Sequence, residues 1–122
     1  LGVMIAHGMF ELDILQISSK SRQGASQGFS EIIATFGLIL VIFGGLKLRA
    51  DAIPALVGFY ITSAYWFTAS TSFANPAVTL ARSLSDTFAG INPSNIIMFI
   101  SCQFIGMLVA LILVKYIFSE KE

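Results

Sequence analysis

The chain has 122 residues, 56% of them apolar and 11% charged, with a mean hydropathy of +0.83. A soluble domain carries about 25% charged residues, so this is the composition of a membrane protein. Seven basic residues balance seven acidic ones, which implies no nucleic-acid partner, and the lone Cys102 excludes an intrachain disulfide and a cysteine metal site.

Residues 1–10 are apolar but too short to cross a bilayer, which takes about 20 residues. They read as the end of a truncated helix in a chain cut from something longer. Residues 11–27 hold two acids, Lys20, Arg22 and several Ser and Gln, the makeup of a loop between membrane segments. Residues 28–46 are apolar apart from Glu31 and close with Lys47 and Arg49, so one span is expected there. An acid inside a span is a functional candidate by default.

A 30-residue run without a charge follows, from Ala52 to Ala81. It is about one and a half crossings long at about 20 residues each. Pro54 suits the first turn of a helix, where its missing N–H costs nothing, and a second span is expected over 53–71. Near the far end of that crossing stands Asn75-Pro76-Ala77. The simplest arrangement is a full span, a sharp break, and a re-entrant half-helix over 76–88. Irregular backbone at membrane depth survives only where protein buries it or where it lines a watery cavity, so the tripeptide points to a pore. Gly90, Asn92 and Pro93 mark a turn, Ser94 suits a helix N-cap, and a last span is expected over 94–118. Lys47, Arg49, Lys115 and Lys121 then share one side, cytoplasmic by the positive-inside tendency, with Lys20 and Arg22 opposite.

The stretch Thr71-Ser72-Phe73-Ala74-Asn75-Pro76-Ala77, ending a span and starting a half-helix, resembles the aquaporin or major intrinsic protein family. Glu31 near the start of one span, with Gln103 and Gly106 in the last, extends the resemblance over most of the chain. It implies an all-α membrane protein. The chain would be the second of two inverted repeats, three transmembrane helices plus one re-entrant half-helix, preceded by the end of another helix. The implied partners are the missing N-terminal repeat of the same chain, three further copies in a homotetramer, and the lipid bilayer of a cell membrane crossed several times. No cofactor and no metal is implied.

The implied activity is passive permeation of water and small uncharged solutes, glycerol-like or neutral metalloid species. Asn75 would offer its side-chain N–H2 to a passing oxygen, Pro76 would open the half-helix, and Ala77 completes the motif. The helix dipole would oppose protons and cations. Glu31 would buttress the re-entrant loop, with Gln103 beside it. Most members carry Arg directly after the second Asn-Pro-Ala, and here that position is Val78. The position that separates water from glycerol channels falls on Ser63, and Ser72 falls where a backbone carbonyl faces the filter. Val78, Ser63 and Ser72 therefore describe a wide, neutral selectivity filter. Arg82, one turn beyond Val78, either lines the pore mouth or pairs with Asp86 at i,i+4.

Two readings of another class stand beside the channel. Broken helices also build substrate sites in secondary transporters, although intramembrane acids are sparse here. A non-conducting interaction module is the other. A self-pairing half-channel would need two copies in opposite orientation. No nucleophile, base and orienting group can be assembled, so no enzyme is expected. His7 and the cluster Tyr65, Trp66 and Phe67 read as interfacial, Cys102 as a packing residue, and Gly37, Gly44, Gly45, Gly58 and Gly106 as sites of close helix approach.

Overall fold

The computed structural model describes residues 1–118 and is all-helical, with no strand among them. The helices are α1 (Gly2–Met9), α2 (Ala25–Leu48), α3 (Ile53–Phe67), α4 (Pro76–Arg82) and α5 (Ile96–Phe118), with single 3-10 turns at Ala50–Ala52 and Pro93–Asn95. The expected tail Ser119-Glu120-Lys121-Glu122 lies outside the described residues.

Two helices are long and apolar enough to cross a membrane, Ala25–Leu48 with 24 residues and Pro93–Phe118 with 26. At about 1.5 Å per residue each exceeds the roughly 30 Å hydrocarbon layer. Large apolar side chains stand exposed around α5, with Ile97 at 79% and Ile112 at 71%. A helix apolar on every side belongs in lipid or in a large protein's interior.

The other expected span is shorter. It begins at Ile53, with Pro54 in its first turn, but ends at Phe67 after 15 residues, four before the expected limit. Thr68 stops it. Its backbone turns extended (φ −98, ψ 140) while its hydroxyl donates to the Ala64 carbonyl at 2.6 Å. The half-helix is also shorter than expected, closing at Arg82 after seven residues. Donors from beyond the helix take over at its end: Ile91 N–H and the local Ser85 N–H both reach Arg82 O, and Ser18 N–H reaches the O of the cap residue Ser83 at 2.9 Å.

Small residues decide how closely α2 meets its neighbours. A Cβ added at Gly106 of α5 would fall on the backbone carbonyl of Ile32, so only glycine allows that crossing. At Gly37 the Tyr60 ring lies over the backbone, and its hydroxyl donates to Ala34 O at 2.8 Å. Gly45 is likewise approached by Ile53, whereas Gly44 and Gly58 face open space.

Residues 11–24 form a strap across the outer end of α4 and the α4–α5 connection. Asp86 accepts from the Ser19 N–H and hydroxyl at 2.7 and 2.8 Å, and Asp86 N–H donates to Gln16 Oε1 at 2.7 Å. Asn92 N–H reaches Lys20 O at 2.7 Å, and Arg22 N–H reaches Asn95 Oδ1 at 3.0 Å. The Ser19 donors, backbone first and hydroxyl second, hold the Asp86 carboxyl below its ordinary pKa.

Candidate functional site: the re-entrant loop and its supports

Between α3 and α4 the chain must reverse and descend to Pro76. Thr71 (φ 66), Ser72 (φ 51) and Ala74 (φ 52) all adopt left-handed backbone. For residues with a Cβ this conformation costs on the order of 1 kcal/mol or more and lasts only where the surroundings over-determine it.

Glu31 supplies that determination. It is fully buried, and its carboxylate receives four donors. Oε1 accepts from Ser70 Oγ at 2.5 Å and Phe73 N–H at 2.9 Å, while Oε2 accepts from Ala74 N–H at 2.9 Å and Gln103 Nε2 at 2.7 Å. A carboxylate offers two acceptor oxygens in one plane, which suits two successive backbone N–H groups of a turning loop. The same Gln103 Nε2 donates to Thr79 Oγ1 at 2.8 Å, and Thr79 Oγ1 donates to Asn75 O at 3.1 Å. One connected network thus runs from α2 through α5 to the first turn of α4.

Asn75 caps α4. Its Oδ1 accepts from Ala77 N–H at 2.8 Å, and Asn75 O accepts from Thr79 N–H at 3.0 Å. With Oδ1 committed to the cap, the side-chain N–H2 remains without a partner among the described residues. Asn75 and Pro76 line a cavity of about 310 Å³ walled by Thr35, Leu38, Ile39 and Phe104. Asn75 is the exposed hydrogen-bonding group at the tip of the half-helix.

The three residues assigned to a filter occupy different surroundings. Ser72 is buried, and its Oγ finds no partner among the described residues. Val78 is half-buried, one side packed on the cluster of Phe73, Ile91 and Phe99. Ser63 is exposed on α3 with its hydroxyl turned back to Phe59 O at 2.9 Å. No hydrogen bond joins Ser63 to the other two.

Arg82 does not pair with Asp86, because the helix ends at Arg82 and Asp86 is taken by Ser19. Its guanidinium carbon lies 4.4 Å from the centroid of the Phe73 ring, and Nη1 approaches Thr71 Oγ1 at 3.5 Å.

Sequence reasoning missed the largest contributor on the outer side. Arg22 is 5% exposed and donates to three carbonyls: Nε to Gly90 at 2.7 Å, Nη1 to Ser70 at 2.9 Å and Nη2 to Phe88 at 2.8 Å. It also sits 5.0 Å from the Phe73 ring centroid. Burial, and then the Arg82 charge, lower its pKa, with Glu31 and Tyr65 opposing. Ser70 therefore links an anion to a cation: its hydroxyl serves Glu31 and its carbonyl serves Arg22. His7 is 3% exposed, with Nδ1 against Ile14 O and Nε2 against Ser85 Oγ, both at 3.0 Å. Trp66 and Phe67 stay exposed, while Tyr65 meets Phe88 edge to face. Thr79 had a legible signal, a hydroxyl at i+4 from Asn75 on a helix. Arg22 and His7 had none, since in the sequence they are a polar loop residue and a lone histidine.

No family model matches the chain, and no solved structure matches it. Among curated proteins it is 49% identical over 116 residues to "Aquaglyceroporin AqpS" of Rhizobium meliloti (strain 1021). The match covers 95% of this chain and 50% of that relative, so the chain spans about half the length of the curated relative it matches. Near-complete coverage at this identity, on an all-helical chain with two helices able to cross a membrane, places the chain in the aquaporin or major intrinsic protein family, as its C-terminal half.

Proposed function

We propose that this chain is half of a passive membrane channel for water and small uncharged solutes. The observation that carries this reading is the half-helix tip: a buttressed left-handed loop delivers Asn75 with its cap oxygen used and its N–H2 free. A passing solute oxygen would accept from that N–H2. The N-terminus of α4, with a partial positive charge of up to roughly half a unit, would oppose protons and cations. The similarity to a protein named as an aquaglyceroporin supports the solute class, glycerol-like or neutral metalloid species. Val78, Ser63 and Ser72 would form this half's share of the selectivity filter, and Glu31 and Gln103 would hold it in place. A partner repeat in the same chain would close the pathway, with four copies assembling side by side in a cell membrane.

A coupled transporter is the weaker reading. Both acids near the site are committed: Glu31 accepts four donors on its two oxygens, and Asp86 Oδ1 accepts the Ser19 N–H and hydroxyl. Neither offers a free oxygen pair to a coupling ion.

The test uses the full-length protein in vesicles. Water flow and glycerol uptake are followed by stopped-flow light scattering, with and without Val78→Arg. Placing a guanidinium at position 78 should cut glycerol uptake while water flow falls less. A channel that conducts water, excludes glycerol and ignores Val78→Arg would remove Val78 from the filter.

A further inference from the structure

Position 78 carries no donor, yet a guanidinium lies close by. Arg82 is four residues on, about 6 Å along the axis of α4 on the same face. A surface arginine at a helix end would extend into water or pair with an acid. Arg82 does neither and turns back toward the re-entrant loop. Phe73 receives its charge at 4.4 Å, within cation–π range, and Thr71 Oγ1 receives Nη1 at 3.5 Å. Thr71 and Phe73 flank Ser72, the residue whose carbonyl was assigned to the filter, so the charge is steered to that level of the loop.

The two arginines of this region spend their donors differently. Arg22 uses three nitrogens on three carbonyls and is buried as a clamp. Arg82 has five N–H donors and makes one long hydrogen bond. Arg82 also lines a cavity of about 540 Å³ whose wall includes His7, Ser85, Thr87 and Phe88. The ionisable groups around it are Arg22, Glu31, Tyr65 and His7. Glu31 is saturated by its four donors, and both His7 nitrogens are engaged by Ile14 and Ser85. No carboxylate forms an ion pair with Arg82 among the described residues.

Resting on the channel reading above, we infer that Arg82 is the solute-selecting cation of this channel, displaced one helical turn outward from Val78. Its fork of N–H groups takes small uncharged solutes with two adjacent oxygen acceptors, such as a vicinal diol. Its fixed charge opposes cations at the mouth. Phe73 and Thr71 are its positioning residues.

The experiment uses the full-length protein in vesicles. It compares glycerol, which presents adjacent hydroxyls, with urea, which presents one carbonyl oxygen, and follows cation leak with an internal dye. Arg82→Gln should lower the glycerol-to-urea ratio by about fivefold, the factor carried by one net hydrogen bond. It should also raise cation leak. Arg82→Lys keeps the charge and loses the fork, so leak should stay low while the ratio falls. Phe73→Leu should shift the ratio in the same direction without touching the charge. A conducting wild type whose ratio and leak are unchanged in Arg82→Gln overturns the inference. A wild type that conducts neither solute nor water overturns the channel reading itself. Melting curves of Arg82→Lys and Arg82→Gln separate a lost contact from a lost fold.

Discussion

Glu31→Gln tests the network that shapes the loop. The change is isosteric, but it replaces one acceptor oxygen by an N–H2 group. Each carboxylate oxygen now serves two donors. If the N–H2 takes the Oε1 position, Ser70 can turn its hydroxyl round and accept, but Phe73 N–H is left facing a donor. If it takes the Oε2 position, Gln103 can rotate its amide, because its Oε1 is otherwise unpartnered, but Ala74 N–H is then orphaned. One buried backbone N–H is lost in either case, at about 1–3 kcal/mol. Three bonds survive, one of them reversed, and the two that keep their direction fall from charge-assisted to neutral, together about 2 kcal/mol. Relief of the buried charge returns part of this, leaving a net loss of about 2–4 kcal/mol. Unfolding of the full-length protein in detergent, read by circular dichroism, measures the stability. Glycerol uptake in vesicles reads the loop geometry. Both should fall, since Thr71, Ser72 and Ala74 lose what holds them in left-handed backbone. A variant within about 0.5 kcal/mol of wild type, the range of ordinary surface substitutions, with unchanged uptake would refute the reasoning.

Gly106→Ala should destabilise by about 1–3 kcal/mol, because the new methyl falls on the Ile32 carbonyl and drives α5 off α2. Gly58→Ala, whose methyl meets open space, is the control and should be neutral or slightly stabilising. The melting temperatures of the two variants should therefore move apart. Asp86 gives the strap a pH dependence. Its folded pKa is depressed, so the tether is fully present above the ordinary carboxylate range and is lost as pH falls through the lowered value. Amide protection of residues 13–20, the intrinsic exchange rate divided by the observed rate at the same pH, should fall on acidification in wild type, and should be low and nearly independent of pH in Asp86→Ala. Exchange that is equally slow in both at neutral pH would show that Asp86 does not hold the strap.

The sequence by itself determined the membrane class, because an uncharged run of 30 residues has no soluble use of comparable length. It also placed the start of α4 at Pro76. Proline's fixed φ and missing N–H suit a first helical turn, and asparagine's short amide suits the cap before it, so both signals are local. The acid at position 31 is equally legible, whereas the two longest helices start at Ala25 and Ile96, three residues before and two after the expected 28 and 94.

Only the tertiary structure decided where the helices stop and which polar residues are buried. The half-helix closes at Arg82 because Ile91 N–H takes its last carbonyl and Ser18 N–H takes that of the cap residue Ser83. Arg22 becomes a clamp because three carbonyls 48 to 68 residues away converge on it. Arg82 turns inward because Phe73 and Thr71 receive it and Ser19 has claimed Asp86. An isolated sequence reads a charged side chain by its local neighbours. A buried one is decided by distant backbone acceptors, which exist as a set only once the re-entrant loop has been folded into place.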